Sequence, residues 1–152
     1  QHQLQFEPGL HHQDIPWTTE FMLLAKRVRY TDAVLYRYYM HDASISNRKR
    51  TGERNVEYQR HYLKIARLLE EINIRYRDRV RIYPSFHAQV THEALSVCHS
   101  VRREPDARAR QAIIADLFAT RTHRRMLRNA RGIKQWYQLL LWLGRLYRWR
   151  DK

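Results

Sequence analysis

The densest cluster of groups able to act on a substrate is His11-His12-Gln13-Asp14. A metal ion needs three or four ligands converging from different turns, whereas neighbours on a loop or strand point apart. Two adjacent histidines and one aspartate are therefore a weak metal signal. Asp14 has two readings at a helix entrance: its carboxylate caps the following turn, or it serves as a general base. Ile15, Pro16 and Trp17 beside it would strip water from the carboxylate and raise its basicity. Residue types and spacing leave both roles open.

A second cluster, His41–Arg48 (HDASISNR), offers small hydroxyls, a histidine and an arginine that can donate to phosphate oxygens. It has no glycine-rich cradle, so it is neither a Walker loop nor a dinucleotide fingerprint. Taken alone it reads as a solvated turn. Cys98 falls beside Val97 near an apolar helical face, which suits a buried structural thiol better than a nucleophile. His87, His92 and His99 share that segment, but His92 and His99 are seven apart with no third ligand between them. They read as core or surface histidines.

Arg121, Arg124, Arg125, Arg128 and Arg131 recur at near-helical spacing, with no acidic residue among them or after them until Asp151. Such a stripe implies an anionic partner: phosphate-bearing lipid, lipopolysaccharide or nucleic acid. The following IKQWYQLLLWLGRLYRW places Trp136, Tyr137, Leu140, Leu143 and Tyr147 on one side, with Trp142 and Trp149 near the edges. Aromatic residues at an apolar–polar border fringed by Lys134, Arg145 and Arg148 suit a helix lying on an anionic membrane. A terminal helix packed on its neighbours explains the pattern equally well.

The elements that must carry these groups are mostly helical. TTEFMLLAK (18–26) reads as a short helix capped by Thr18 or Thr19. Val28–Tyr30 and Val34–Tyr39, β-branched and aromatic, read as two short strands or a hairpin. Tyr58, Tyr62, Ile65, Leu69, Ile72 and Tyr76 then step as one face of a six-turn amphipathic helix. Phe86, Val90, Ala94, Val97 and Val101 repeat that pattern. Pro105 suits a first helical position ahead of Ala109, Ile113, Leu117 and Phe118. Arg121–Arg131 and Ile133–Trp149 follow, with Gly132 as the break. The expected fold is mainly α: a short hairpin/α stub over residues 1–52, then a bundle of four to five helices over 53–152.

The chain has 152 residues and a net charge of +14. Residues 1–101 carry a net +4 and residues 102–152 a net +10. The basic excess is thus a statement about partners of the last third. One cysteine excludes an internal disulfide framework. No run of 18 apolar residues is present to span a bilayer. The opening residues, without initiator Met or signal peptide, are expected to follow an upstream half of a longer protein.

The string FEPGLHHQDIPWTTEFMLLAKRVRYTDAVLYRYYMHDASIS resembles the closing part of the catalytic domain in family 2 glycosyltransferases. That resemblance implies completion of a GT-A α/β domain by residues 1–52. Asp14 matches the family's catalytic base for inverting transfer, and Gln13 stands where many members have Glu. His12, Gln13 and Trp17 would then line the donor or acceptor site. His41, Ser44, Ser46 and Arg48 match the loop over the donor diphosphate; a metal role for His41 stays open. QDIPWTTEFM, EYQRHYLKIARLLEEIN, EALSVCHSVRREPD and LLLWLGRLYRWRDK are similar to enterobacterial lipopolysaccharide-core glucuronosyltransferases. This implies transfer of glucuronic acid from a UDP-sugar to a core heptose. It also implies a peripheral place on the cytoplasmic face of the inner membrane. The family's Asp-x-Asp motif is absent from this chain. The Mg²⁺ or Mn²⁺ would accordingly be held by the upstream half, and this piece alone would be inactive. The rival expectation is a non-enzymatic helical module that binds nucleic acid through the arginine stripe, although no nucleic-acid motif is recognisable.

Overall fold

The computed structural model describes residues 3–39 and 50–150. They form seven helices: α1 (Asp14–Leu24), α2 (Glu53–Arg75), α3 (Arg77–Ile82), α4 (Ser85–Arg103), α5 (Ala107–Ala119), α6 (Thr122–Asn129) and α7 (Gly132–Arg150).

The two long stripes read from the sequence set the architecture. Ile65, Leu69 and Ile72 of α2 are buried, and so are Val90, Ala94, Val97 and Val101 of α4. These two helices form the centre. Ala109, Ile113 and Leu117 of α5, Met126 of α6, and Leu139 and Leu146 of α7 close the main core around them. Cys98 is fully buried in this core, and burial pushes its thiol up to about 12. At ~25 cal/mol per Å² of apolar surface removed from water, each such leucine or isoleucine contributes about 2 kcal/mol.

Helix boundaries follow local chemistry. The Asp106 carboxylate accepts from the amides of Arg108 and Ala109, at 2.8 and 3.3 Å, and starts α5. Pro105 therefore precedes the cap rather than opening the helix. Gly132 separates α6 from α7 with φ +73°, a left-handed conformation that glycine adopts at little cost. α1 begins at Asp14, four residues before the expected start. Thr19 thus lies within the helix, where its hydroxyl donates to the Ile15 carbonyl at 2.8 Å and to Gln89 of α4 at 3.2 Å.

The expected hairpin is corrected. Among the described residues there is no strand, and residues 28–39 run without regular structure. Val34 is 90% exposed and Tyr30 93% exposed. The β-branched and aromatic residues there are strand-prone, but a two-stranded ribbon with no sheet or helix beneath it is marginal in water.

Candidate functional site

Asp14 is presented by a loop that is bolted to α2 at three points. Leu10, 6% exposed, inserts beside Ile65, Leu69 and Val90. The His11 amide donates to His61 Nδ1 at 3.3 Å, and the two imidazoles meet edge-on. His12 shares a 2.5 Å hydrogen bond between its Nε2 and the Tyr58 hydroxyl. The backbone of His12 is left-handed, with φ +56°. A non-glycine residue holds that conformation only when its surroundings fix it, at a cost of order 1 kcal/mol. The turn closes through Ile15 N–H donating to the His12 carbonyl at 3.1 Å.

Asp14 itself is exposed, and its carboxylate accepts no hydrogen bond among the described residues. The capping role is therefore not realised. Nor is the expected desolvation, because Pro16 turns into the protein while Asp14 faces water. Gln13, the residue before the helix, makes no side-chain cap and is exposed as well.

Trp17 lies one turn along α1 on the same side as Asp14. Its ring stacks between Phe6, with centroids 5.2 Å apart, and Phe21, at 5.4 Å. Phe6 and Phe21 remain about half exposed, so an aromatic platform borders the free carboxylate. The far end of α1 is tied down by Glu20, which accepts from Arg75 at 2.8 Å and from the Tyr76 hydroxyl at 2.7 Å.

Electrostatics set the neighbours of Asp14 in fixed states. Burial holds the His12 imidazole below its ordinary value; Asp14 opposes this, while His11 and Arg50 add to it. Burial likewise lowers His61, assisted by His11 and Lys64. Burial therefore favours the neutral form of both rings. Arg50 sits 3.9 Å over the Tyr58 ring. Glu93, which motif spacing did not single out, is half-buried on α4; burial raises its carboxyl, and the charge of Asp14 raises it further. Only the packing of α1 against α2 and α4 brings these two carboxylates within electrostatic reach.

His41, Ser44, Ser46 and Arg48 lie outside the described residues. Among the described residues no group of three or more His, Cys, Asp or Glu side chains could hold a metal ion. The His12 ring is engaged with the Tyr58 hydroxyl, and His61 Nδ1 is taken by the His11 amide.

The arginine stripe is corrected in part. Arg125 and Arg128 are not a free charged face: both reach back to Glu70 of α2, at 3.0 and 2.9 Å, and Arg125 also donates to the Thr120 carbonyl. Arg131 donates to the carbonyls of Arg128 and Ala130. Arg121 and Arg124 stay exposed. The counter-charge comes from a different helix, which is why spacing within α6 could not show it.

The aromatic tail divides similarly. Trp142 is 4% exposed and meets the edge of His99, so it belongs to the core and not to an outer rim. Leu143 is likewise buried, and Trp149 is partly buried against the same core. Trp136, Tyr137, Leu140 and Tyr147 are exposed. Among the described residues no helix is long and apolar enough to cross a membrane.

Residues 51–152 match the family described as glycosyltransferase YibD, C-terminal domain. The chain belongs to this family. It is also 54% identical over 149 residues to a protein of Escherichia coli (strain K12) described as uncharacterized glycosyltransferase YibD. The match covers 98% of this chain and 43% of that relative, so the chain spans less than half the relative's length. No solved structure matches. Within the YibD C-terminal family match fall α2 to α7, which supply the surface on which the Asp14 loop is seated.

Proposed function

We propose that the chain is the C-terminal part of an inverting glycosyltransferase that moves a sugar from a UDP-sugar to a lipopolysaccharide core heptose, with glucuronic acid as the sugar transferred. The observation that carries this reading is the Asp14 carboxylate, free of hydrogen bonds at the head of a helix whose entrance is rigidly clamped. As the acceptor hydroxyl oxygen attacks the anomeric carbon, Asp14 takes its proton. The carbon–oxygen bond to the diphosphate breaks with inversion, and UDP leaves with the electron pair. Neutral His12 keeps a second positive charge away from that proton. The Trp17 stack gives the apolar face of an acceptor sugar a surface beside the base. The divalent cation and most of the donor site belong, in this reading, to residues outside this chain, so the chain alone performs no transfer.

Asp14→Asn in the whole protein tests the assignment. Transfer is expected to fall about 10²–10⁴-fold, the usual contribution of general-base catalysis. Retention of near-wild-type transfer would refute it.

The exposed strip of α7 supports a peripheral position on the cytoplasmic face of the inner membrane. Ile133, Tyr137 and Leu140 are 90, 65 and 61% exposed, and Arg148 stands on the same helix. Ile133→Ser with Leu140→Ser should weaken sedimentation with phosphatidylglycerol vesicles about 30-fold or more, since two aliphatic side chains at about 1–2 kcal/mol each sum to about 2–4 kcal/mol. Unchanged sedimentation would exclude this face. Deletion of the helix is a poorer test, because Leu139, Trp142 and Leu146 are core residues.

A further inference from the structure

Three cavities adjoin along α4. The first, of 530 Å³, lies between the α2–α3–α4 corner and α6, and carries Arg77, Arg81, Arg128 and Arg131. Its one acidic residue, Glu70, is already occupied by Arg125, Arg128 and Asn129. The second, of 470 Å³, shares Arg131 with the first and adds His92, His99 and Lys134. The third, of 800 Å³, shares Ser96 and His99 with the second and ends at Arg103 and Arg50. Neither of the latter two has an acidic lining residue. Shared lining residues set the three side by side as a basic trough along α4. Its end is tied to the candidate base, since Arg50 lies over Tyr58, whose hydroxyl holds His12.

The trough also presents groups suited to neutral hydroxyls. Asn73 is 3% exposed and lines the first cavity. Its amide nitrogen donates to the Phe86 carbonyl at 3.0 Å, which identifies the other atom as the oxygen. That buried oxygen has no partner. An unsatisfied buried acceptor costs about 1–3 kcal/mol, and a ligand hydroxyl would relieve it. Ser96 and Gln138 line the stretch further along. No phenylalanine, tyrosine or tryptophan lines any of the three cavities, so there is no stacking platform for nucleic-acid bases. A concave trough does not match a flat bilayer either.

We propose that this trough binds an anionic saccharide, with its phosphate or carboxylate substituents on Arg77, Arg81, Lys134 and Arg103 and its hydroxyls on Asn73 and the polar groups between them. The inference rests on the transferase reading, to which it adds the path by which a charged acceptor reaches Asp14. None of these four cationic side chains has an ion pair or side-chain hydrogen bond among the described residues. Their charge is unspent within the fold, and their removal should leave it intact.

The test is equilibrium binding of a heparin-derived hexasaccharide to the full chain at physiological salt. A neutral dextran oligosaccharide, inorganic phosphate, oligo-dT and phosphatidylglycerol vesicles run beside it. Replacing Arg77, Arg81, Arg103 and Lys134 with alanine together should weaken hexasaccharide binding about tenfold or more. Replacing Arg27, Arg29, Arg54 and Arg108, which removes the same charge outside the trough, should change it less than about twofold. Asp14→Asn should bind the hexasaccharide as the parent does, so failure of the base assignment and failure of the trough are read separately. Equal losses in the two fourfold variants would overturn the proposal. So would absence of hexasaccharide binding, or a trough-dependent loss confined to oligo-dT or to vesicles. Binding of inorganic phosphate that falls in the trough variant while the hexasaccharide is unaffected would also overturn it.

Discussion

Glu104 and Asp14 both stand beside the N-terminal half of α2, and they are held in opposite ways. Glu104 is 2% exposed and fully engaged. One oxygen accepts from the Gly52 amide at 3.1 Å and the Asp106 amide at 3.0 Å, and the other from Asn55 Nδ2 at 2.6 Å. Asn55 passes the network on to Gln59 and Ser100. Asp14 has none of this, although the loop before it is fastened to Tyr58 and His61 only a turn or two further along α2. A carboxylate that builds structure is saturated with donors. Asp14, the proposed base, is left open, while the backbone before it carries the fixation. The contrast separates the two roles better than exposure alone, because many surface carboxylates are free but few follow a clamped, left-handed turn.

Exchanging the effects of two substitutions would break that contrast. Asp14→Asn in the whole protein should cost the 10²–10⁴-fold in transfer given above, about 3–5 kcal/mol of barrier, and leave the free energy of urea unfolding within about 0.5 kcal/mol of the parent. A large stability loss would mean that Asp14 is a structural residue after all. Glu104→Ala should do the reverse. It orphans two amide donors and the Asn55 side chain in a buried corner, with an expected loss of about 3 kcal/mol in urea unfolding. A loss below about 1 kcal/mol would show that water or neighbouring groups replace the carboxylate.

The two corners also differ in how far the sequence reveals them. The stripes Ile65-Leu69-Ile72 and Val90-Ala94-Val97-Val101 announce their helices because period and burial agree. Asp14 is visible as a candidate because it lies in a polar cluster ahead of apolar residues. Glu104 is not visible, since Gly52 and Asn55, which it binds, lie 52 and 49 residues earlier and nothing in Arg-Arg-Glu-Pro signals a buried acid. The same non-locality hides Glu70 behind the arginine stripe and Glu93 behind α4. Segment 28–39 misleads in the other direction: its residue types favour a strand, but strand formation depends on a neighbour that local composition cannot supply. In α7 the apolar residues run nearly all round, so periodicity placed Trp142 at the rim, whereas packing buries it with Leu139 and Leu146.

Acid should sharpen the comparison with the smallest of these effects. Burial lowers His12, His61, His99 and His123 from an ordinary value of 6.5. Between their folded values and 6.5 the unfolded chain binds more protons than the folded one, so their contribution to stability rises with pH. It is fully present above about pH 6.5 and is lost as pH falls through that window. The loss should begin at the Asp14 corner for a specific reason. His61 Nδ1 accepts from the His11 amide, and a protonated imidazole has no lone pair left to accept with. Amide exchange, corrected for its intrinsic pH dependence, should therefore show protection at His11 that holds above about pH 6.5 and falls as pH drops below it. The Gly52 amide, held by Glu104, should keep its protection over the same range. His61→Gln should flatten the pH dependence at His11. Equal loss of protection at both amides would mean that the two corners open together, and that the Asp14 loop is no more separable from the core than Glu104 is.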